Sequence, residues 1–266
     1  MSYIEIKDVD LCYGRQTGAG NGTGTLALAN ASLSIGENEF IAVVGPSGCG
    51  KSTLLKLISG LVKPTRGVVR VGGVDVKKPL KNVGMAFQNS TLLPWRNVRD
   101  NVLLPLEIVE PYRSESNTKI VVKRQRADEL LATVGLADFG DKMPWQLSGG
   151  MQQRAQLCRA LIHEPSILLL DEPFGALDAF TREELWAVLQ NLWMTRKCTV
   201  VLVTHELREA VYLCDTVYVV SPRPGRIIAS SKVPFARPRT LDMTYQAEFV
   251  DLVHACRHHI TPGNAA

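Results

Sequence analysis

The chain has no apolar run long enough to cross a bilayer. Stretches such as residues 167–170 and 200–203 fall far short of the roughly 20 residues a membrane helix needs. A leader pattern is missing as well. The first residues, MSYIEIK, carry charge where the apolar centre of a signal peptide would sit, so no cleaved segment is expected. Long Lys/Arg blocks are absent, and the formal net charge is only +4, too mild to mark a nucleic-acid surface. The six cysteines (Cys12, Cys49, Cys158, Cys198, Cys214, Cys256) form no CxxC pair and no metal-ligand spacing. They read as reduced thiols, buried or in loops. What remains is an ordinary globular composition, 45% hydrophobic and 21% charged over 266 residues. That length suits one large domain, or a core with an inserted subdomain.

Residues 3–9 alternate apolar and polar, as a half-buried strand does. The glycine-rich stretch TGAGNGTGT at 17–25 lacks GxGxxG spacing and follows no buried strand into a helix. It is expected to be a loop insertion without a phosphate role. Residues 26–35 and 39–44 predict two more strands. The second runs into a glycine loop and then a helix over 52–59 that closes near Gly60. Short strands are expected at 68–71 and 82–87, and a mostly helical stretch from about 92 to 161, strongest over 119–134. Strands at 167–170, 199–203 and 216–220, with helices between them, imply an α/β core of buried parallel strands. A short hairpin past Pro222 and a helix over about 244–259 complete the chain; His258 and His259 should lie on the surface.

Three segments carry chemistry. GPSGCGKST at 45–53 fits GxxxxGK[ST] between a strand and a helix. Gly45, Gly48 and Gly50 let the backbone around Pro46, Ser47 and Cys49 curl its N–H groups about phosphates, helped by the helix N-terminus. Lys51 can reach the β- and γ-phosphates of a nucleotide, the Ser52 hydroxyl can ligate Mg²⁺, and Thr53 completes the pattern. ILLLDE at 167–172 is an apolar strand ending in two acids. Asp171 suits the Mg²⁺ shell, and Glu172 suits a general base acting on water. Any buried strand can end in acids, so this segment gains weight only beside the glycine loop. In LSGGMQQR at 147–154, Ser148 followed by Gly149 and Gly150 opens a helix. That is either a simple N-cap or a second anion-binding helix terminus.

With these segments in this order, the chain resembles the ATPase subunits of ABC transporters over nearly its whole length. The resemblance implies an α/β P-loop NTPase core with a parallel sheet, an N-terminal antiparallel β-subdomain and an inserted α-helical subdomain at about 89–161. The ATPase domain would span 1–235, and 236–266 would form a short helical tail. In this family two such subunits meet head to tail, and ATP lies between one P-loop and the partner's LSGGQ segment. Here Ser148, Gly149 and Gly150 match that segment, with Met151 where glutamine is usual. By position, Tyr13 matches the aromatic that stacks on adenine. Gln88 matches the glutamine that senses Mg²⁺ and reports to the membrane subunit. Asp178, in ALD at 176–178, matches the loop that meets the opposite subunit, and His205 matches the switch histidine at the γ-phosphate.

FQNSTLLPWRNV at 87–98, DEPFGALDAFTR at 171–182 and SPRPGR at 221–226 look like the nitrate/sulfonate/taurine importer ATPases. LLPWRNVRDNV at 92–102 and WQLS at 145–148 look most like the taurine-import subunits. None of these residues would touch the solute. Leu92, Leu93 and Trp95 supply apolar and aromatic anchors for the groove that receives a coupling helix. The implied assembly is a homodimer under two transmembrane permease subunits, peripheral at the cytoplasmic face of the inner membrane. An extracytoplasmic solute-binding protein would serve it indirectly, with ATP and Mg²⁺ as ligands and no nucleic acid. The alternatives are an importer for nitrate or another aliphatic sulfonate, a soluble ABC ATPase acting on nucleic acid or ribosomes, and a P-loop kinase. The soluble ATPases carry paired nucleotide domains or long coiled-coil insertions, and a kinase would leave LSGGM and His205 without work.

Overall fold

The computed structural model describes residues 2–14, 24–114 and 119–260. Residues 15–23, which hold most of the glycine-rich stretch, lie outside them. The chain forms two compact units: residues 1–80 with 199–266, and residues 81–198.

The first unit begins with β1 (Ser2–Tyr13) and β2 (Thr25–Gly36), which pair antiparallel with Ile4 opposite Ile35 and Ile6 opposite Leu33. Ile4 and Ile6 face inward as alternation requires, but Lys7 and Asp8 are both exposed before Val9 and Leu11 turn in again. This is a bulge. Asp8 takes φ 50°, and Gly67 packs so close that an added Cβ would sit 2.3 Å from the Asp8 carbonyl oxygen. Across β1 lies β4 (Arg66–Val71), which turns through Gly72 and Gly73 into the two-residue β5 (Val74–Asp75), a strand too short for periodicity to show. The order is β2-β1-β4-β5, all antiparallel.

The unit's second sheet centres on β3 (Phe40–Val44), flanked by β8 (Thr199–Thr204) and β9 (Thr216–Val220), both parallel to it. Every residue of β3 and β8 is buried, which is why these strands read as continuous apolar runs rather than alternating ones. Helix α1 (Lys51–Ile58) follows β3 and packs on β4 and β8; the chain leaves it through Gly60 at φ 76°. Helix α6 (Leu207–Leu213) links β8 to β9, and β10 (Ile227–Lys232) returns antiparallel to β9; the hairpin turns at Pro222 rather than lying past it, because β10 pairs with the strand already expected at 216–220.

The tail helix α7 (Ala247–Ile260) buries Phe249 and Cys256 and packs on α6, β9 and β10. His258 and His259 are exposed, as expected. Arg239, 3% exposed, fastens the tail. Its Nη1 donates to the carbonyls of Val211 (2.9 Å), Tyr212 (2.9 Å) and Cys214 (2.8 Å), the acceptors that α6 leaves open at its end.

The second unit holds the parallel pair β6 (Val83–Phe87) and β7 (Ile167–Asp171), with Val83 opposite Ile167 and Phe87 opposite Asp171. Between them come α2 (Val98–Ile108), α3 (Ile120–Thr133) and α4 (Gly149–Leu161), the helical stretch the sequence predicts. α5 (Ala179–Arg196) follows β7. α4 packs on β6, α2, α3 and α5. Gly84 permits the first contact, since a Cβ there would lie 2.1 Å from the Ala160 carbonyl oxygen. Among the described residues no helix is long and apolar enough to cross a membrane.

Candidate functional site

In the first unit the phosphate-loop residues stand where the sheet's strands end together. Val44, the last residue of β3, pairs with Thr204 of β8 and Val219 of β9. Gly45 and His205 therefore leave the sheet side by side, His205 exposed. The carboxyl edge of parallel strands is where α/β sheets bind ligands. Gly48 (φ 73°) and Gly50 (φ 105°) adopt left-handed backbone that side-chain-bearing residues rarely take. Gly50 is also crowded: an added Cβ would meet Leu28 Cδ2 at 2.8 Å and the Ala27 carbonyl oxygen at 2.9 Å. Ser47 and Gly48 are exposed, Pro46 partly so, and Gly45 is buried.

Lys51 is 5% exposed, and its Nζ donates to the carbonyls of Gly45 and Pro46, each at 2.9 Å. Ser52, exposed, sits in the first turn of α1. Cys49 is 1% exposed, and burial pushes its thiol up against smaller opposing effects of Lys51 and Arg223. The ring of Tyr13 is 40% exposed at the end of β1, and its hydroxyl lies 3.3 Å from Thr53 Oγ1. Tyr13 thus stands partly in solvent beside the loop's helix.

In the second unit the Phe87–Asp171 pairing makes Gln88 and Glu172 leave the same end of the β6/β7 pair. Glu172 takes φ 47°, unusual for a non-glycine residue and the kind of backbone strain that clusters at functional sites. Its carbonyl accepts the Gly175 N–H (3.1 Å). A Cβ on Gly175 would lie 3.1 Å from Gln88 Nε2, so the amide of Gln88 rests on the turn that Glu172 opens. Asp178 caps α5 by accepting the Thr181 N–H (3.1 Å), which holds its carboxyl below the usual carboxylate range. Ser148 caps α4 by accepting the Met151 N–H (3.3 Å), so the cap half of the sequence reading is present in the geometry. Gly149 is exposed. Gly150 is buried against α5, where a Cβ would meet Thr181 Cγ2 at 2.5 Å.

The site residues thus divide by unit: Tyr13, residues 45–53 and His205 in one, and Gln88, residues 148–150, Asp171, Glu172 and Asp178 in the other. Of the expected anchors, Trp95 is 72% exposed and Leu93 partly so, but Leu92 is 8% exposed and belongs to the core. The turn before α2 accounts for the difference. Fully buried Asn101 donates to the carbonyls of Leu93, Arg96 and Asn97 and accepts the Leu93 N–H (2.6 Å), locking the turn with Trp95 outward.

Sequence reasoning passed over Gln153, Gln156 and Arg159. Gln153 donates to the Gln88 carbonyl, Gln156 to the Phe87 carbonyl (2.7 Å), and Arg159 Nη1 to the Thr91 carbonyl (2.8 Å). Their spacing of three on one helix was the available signal. Arg223, within SPRPGR, had no role in the sequence, yet its Nε and Nη2 donate to the Gly48 carbonyl of the phosphate loop.

Residues 28–175, more than half of the chain, match the ABC transporter family. An ABC transporter ATP-binding protein of Methanocaldococcus jannaschii is 47% identical over 82% of this chain and 79% of its own. A bicarbonate transport ATP-binding protein of Synechocystis is 42% identical over 91% and 82%, and a taurine import ATP-binding protein of Ruegeria pomeroyi is 42% identical over 89% and 84%. Among solved structures, a dimeric ATP-binding cassette in a post-hydrolysis state with ADP and Pi superposes with a TM-score of 0.73 at 32% identity. It covers 88% of this chain and 100% of that one. With its P-loop at the edge of a parallel sheet and an antiparallel β-sheet before it, the chain has the cassette fold of the α/β P-loop NTPases. It belongs to the family of ABC transporter ATP-binding proteins.

Proposed function

We propose that this chain is the ATP-hydrolysing subunit of an ABC importer for a small anion, an organosulfonate such as taurine foremost. The observation that carries the ATPase reading is the loop at residues 45–53. Its left-handed glycines and the buried Lys51 ammonium make a cradle for phosphate at a helix N-terminus. Lys51 would exchange the Gly45 and Pro46 carbonyls for phosphate oxygens, and Tyr13 would stack on the adenine. A hydroxyl, a carboxylate and an amide oxygen, from Ser52, Asp171 and Gln88, suit the hard cation Mg²⁺. When bound, that ion neutralises phosphate charge.

Glu172 takes the proton of the attacking water. The water oxygen bonds to the γ-phosphorus as the bond to the β–γ bridging oxygen breaks, giving ADP and phosphate. His205 would hold the γ-phosphate. The exposed Ser148 and Gly149, with Asp178, would close on the ATP of a second copy, and the open–close cycle would drive two membrane-spanning permeases. An external solute-binding protein would feed those permeases, with the pair peripheral at the cytoplasmic face of the membrane. The exposed Trp95 supports docking of a coupling helix, since a Trp in solvent is an anchor in want of a pocket.

The taurine reading rests on the importer-like segments at 87–98, 171–182 and 221–226 and on relatives named for taurine import. Relatives of similar identity named for bicarbonate and nitrate keep an inorganic anion as the second reading. Two measurements test the proposal. Glu172→Gln should cut phosphate release about 10²- to 10⁴-fold, the worth of a positioned general base, and full turnover would dismiss Glu172. A host lacking this subunit should fail to grow on taurine as sole sulfur source yet grow on sulfate; normal growth on taurine with loss on nitrate or bicarbonate would move the assignment.

A further inference from the structure

We infer that the turn at residues 221–226 is a brace of the phosphate-binding loop and that Arg223 is a positioning residue setting the affinity for ATP. The inference rests on the ATPase reading of that loop.

Because Val219 of β9 pairs with Val44 of β3, the chain leaves β9 alongside Gly45. The approach there is tight: a Cβ on Gly45 would lie 2.6 Å from the Val220 carbonyl oxygen. The turn is closed on itself, the Ser221 N–H donating to the Arg226 carbonyl (2.9 Å) and the Arg226 N–H to Ser221 Oγ (3.0 Å). It is also tied to β2 by two backbone bonds, Gly225 N–H to the Ala27 carbonyl (2.9 Å) and Ala29 N–H to the Gly225 carbonyl (3.0 Å). Anchored this way, it touches the phosphate loop twice. Gly225 lies against Cys49 so closely that a Cβ would sit 2.1 Å from the Cys49 carbonyl oxygen. Arg223 forks onto the Gly48 carbonyl through Nε (3.0 Å) and Nη2 (2.8 Å).

Two consequences follow for an anion in the loop. Gly48 is the most mobile kind of residue in a conformation only glycine favours, and a two-pronged grip on its carbonyl removes freedom that binding would otherwise have to remove. The Gly48 carbonyl and the Cys49 N–H are also the two ends of one peptide group. A guanidinium bonded to the oxygen polarises that group and makes the N–H a stronger donor. The first effect acts on any anion in the loop and the second on the Cys49 N–H, which donates to the Pro46 carbonyl (3.4 Å) until phosphate takes that place; neither acts on the water that Glu172 would activate. Arg223 is itself exposed, so water replaces its bonds in the folded chain at little cost when the side chain is removed.

The test uses the full-length chain, with MgATP titrated by a fluorescent ATP analogue and steady-state phosphate release measured in parallel. Arg223→Ala should raise the Kd and KM for MgATP about 3- to 10-fold, the worth of one or two ordinary hydrogen bonds, with kcat within about twofold of wild type and an unchanged Tm without nucleotide. Arg223→Lys should recover part of the affinity. Gly225→Ala, whose Cβ meets backbone that cannot yield, should lose more. Wild type serves as the reference and Lys51→Ala as the non-binding control. If wild type itself fails to bind MgATP, the ATPase reading fails. If wild type binds, Lys51→Ala does not, and Arg223→Ala binds as tightly as wild type, the brace is overturned and the ATPase reading stands. A fall of Tm and kcat together with affinity, unrescued by lysine, makes Arg223 merely structural and likewise overturns the proposal.

Discussion

A lysine ammonium with 5% exposure must find oxygen partners, and Lys51 finds them in the carbonyls of its own loop, Gly45 and Pro46. Its neighbour Cys49 answers a different question. A cysteine in a phosphate loop suggests a reactive thiol, but this one is 1% exposed and burial holds its pKa above the ordinary value. Less thiolate forms at a given pH, and the reagent has no path to it. An alkylating agent at about pH 8 should therefore label the partly exposed Cys12 well before Cys49. Mass spectrometry of peptides after timed labelling checks the order, and Cys49 reacting first would show that the loop opens. Residue identities at the site were legible because the phosphate loop needs fixed types at fixed spacing. Burial was not. Leu92 and Trp95 stand three apart in one apolar run, yet one is core and the other is 72% exposed, and the buried amide of Asn101 makes the difference.

At the scale of elements, α4 does two jobs. Its capped N-terminus presents Ser148 and Gly149, while further along it holds the segment carrying Gln88 through Gln153, Gln156 and Arg159. Gln156, 0% exposed, donates to the Phe87 carbonyl and accepts the Thr91 N–H (2.9 Å), so one buried amide ties both ends of the segment to α4. Gln156→Leu, close in size, would remove both bonds, at about 0.5–1.5 kcal/mol each. The Tm should fall by several degrees, at about 2–4 °C per kcal/mol for a chain of this size. A melt matching wild type would mean water takes over both bonds. Long elements were read closely from sequence: α3, expected over 119–134, spans Ile120–Thr133, and the helix expected over 52–59 spans Lys51–Ile58. Their apolar spacing and glycine stops are local. β5 and the bulge at Asp8 were not read, because both depend on which strand lies across from them.

For the molecule as a whole, the proposal requires two copies. Ser148, Gly149 and Asp178 are exposed, each at the start of a helix, and would meet the nucleotide and loop of a partner. Glu172→Gln with MgATP should therefore sediment as a dimer, since on the proposal ATP would bridge the pair and not be consumed, whereas the nucleotide-free chain should sediment as a monomer. The double variant that adds Ser148→Arg should stay monomeric while still binding MgATP. A monomer for Glu172→Gln with saturating MgATP, with and without the permeases, would refute the two-copy arrangement.

The sequence by itself determined the chemistry proposed for this chain. GPSGCGKST, the two acids after a strand and LSGG need only residue types in order, because phosphate binding uses backbone N–H groups, one ammonium and hard oxygen ligands close together along the chain. The tertiary structure alone decided what touches those residues. That the SPRPGR turn lies under the phosphate loop follows from Val219 pairing with Val44, some 175 residues away in sequence. That α4 grips the Gln88 segment follows from Gly84 admitting α4 onto β6. Such contacts join segments whose separation carries no periodicity, and only packing brings them within hydrogen-bond reach.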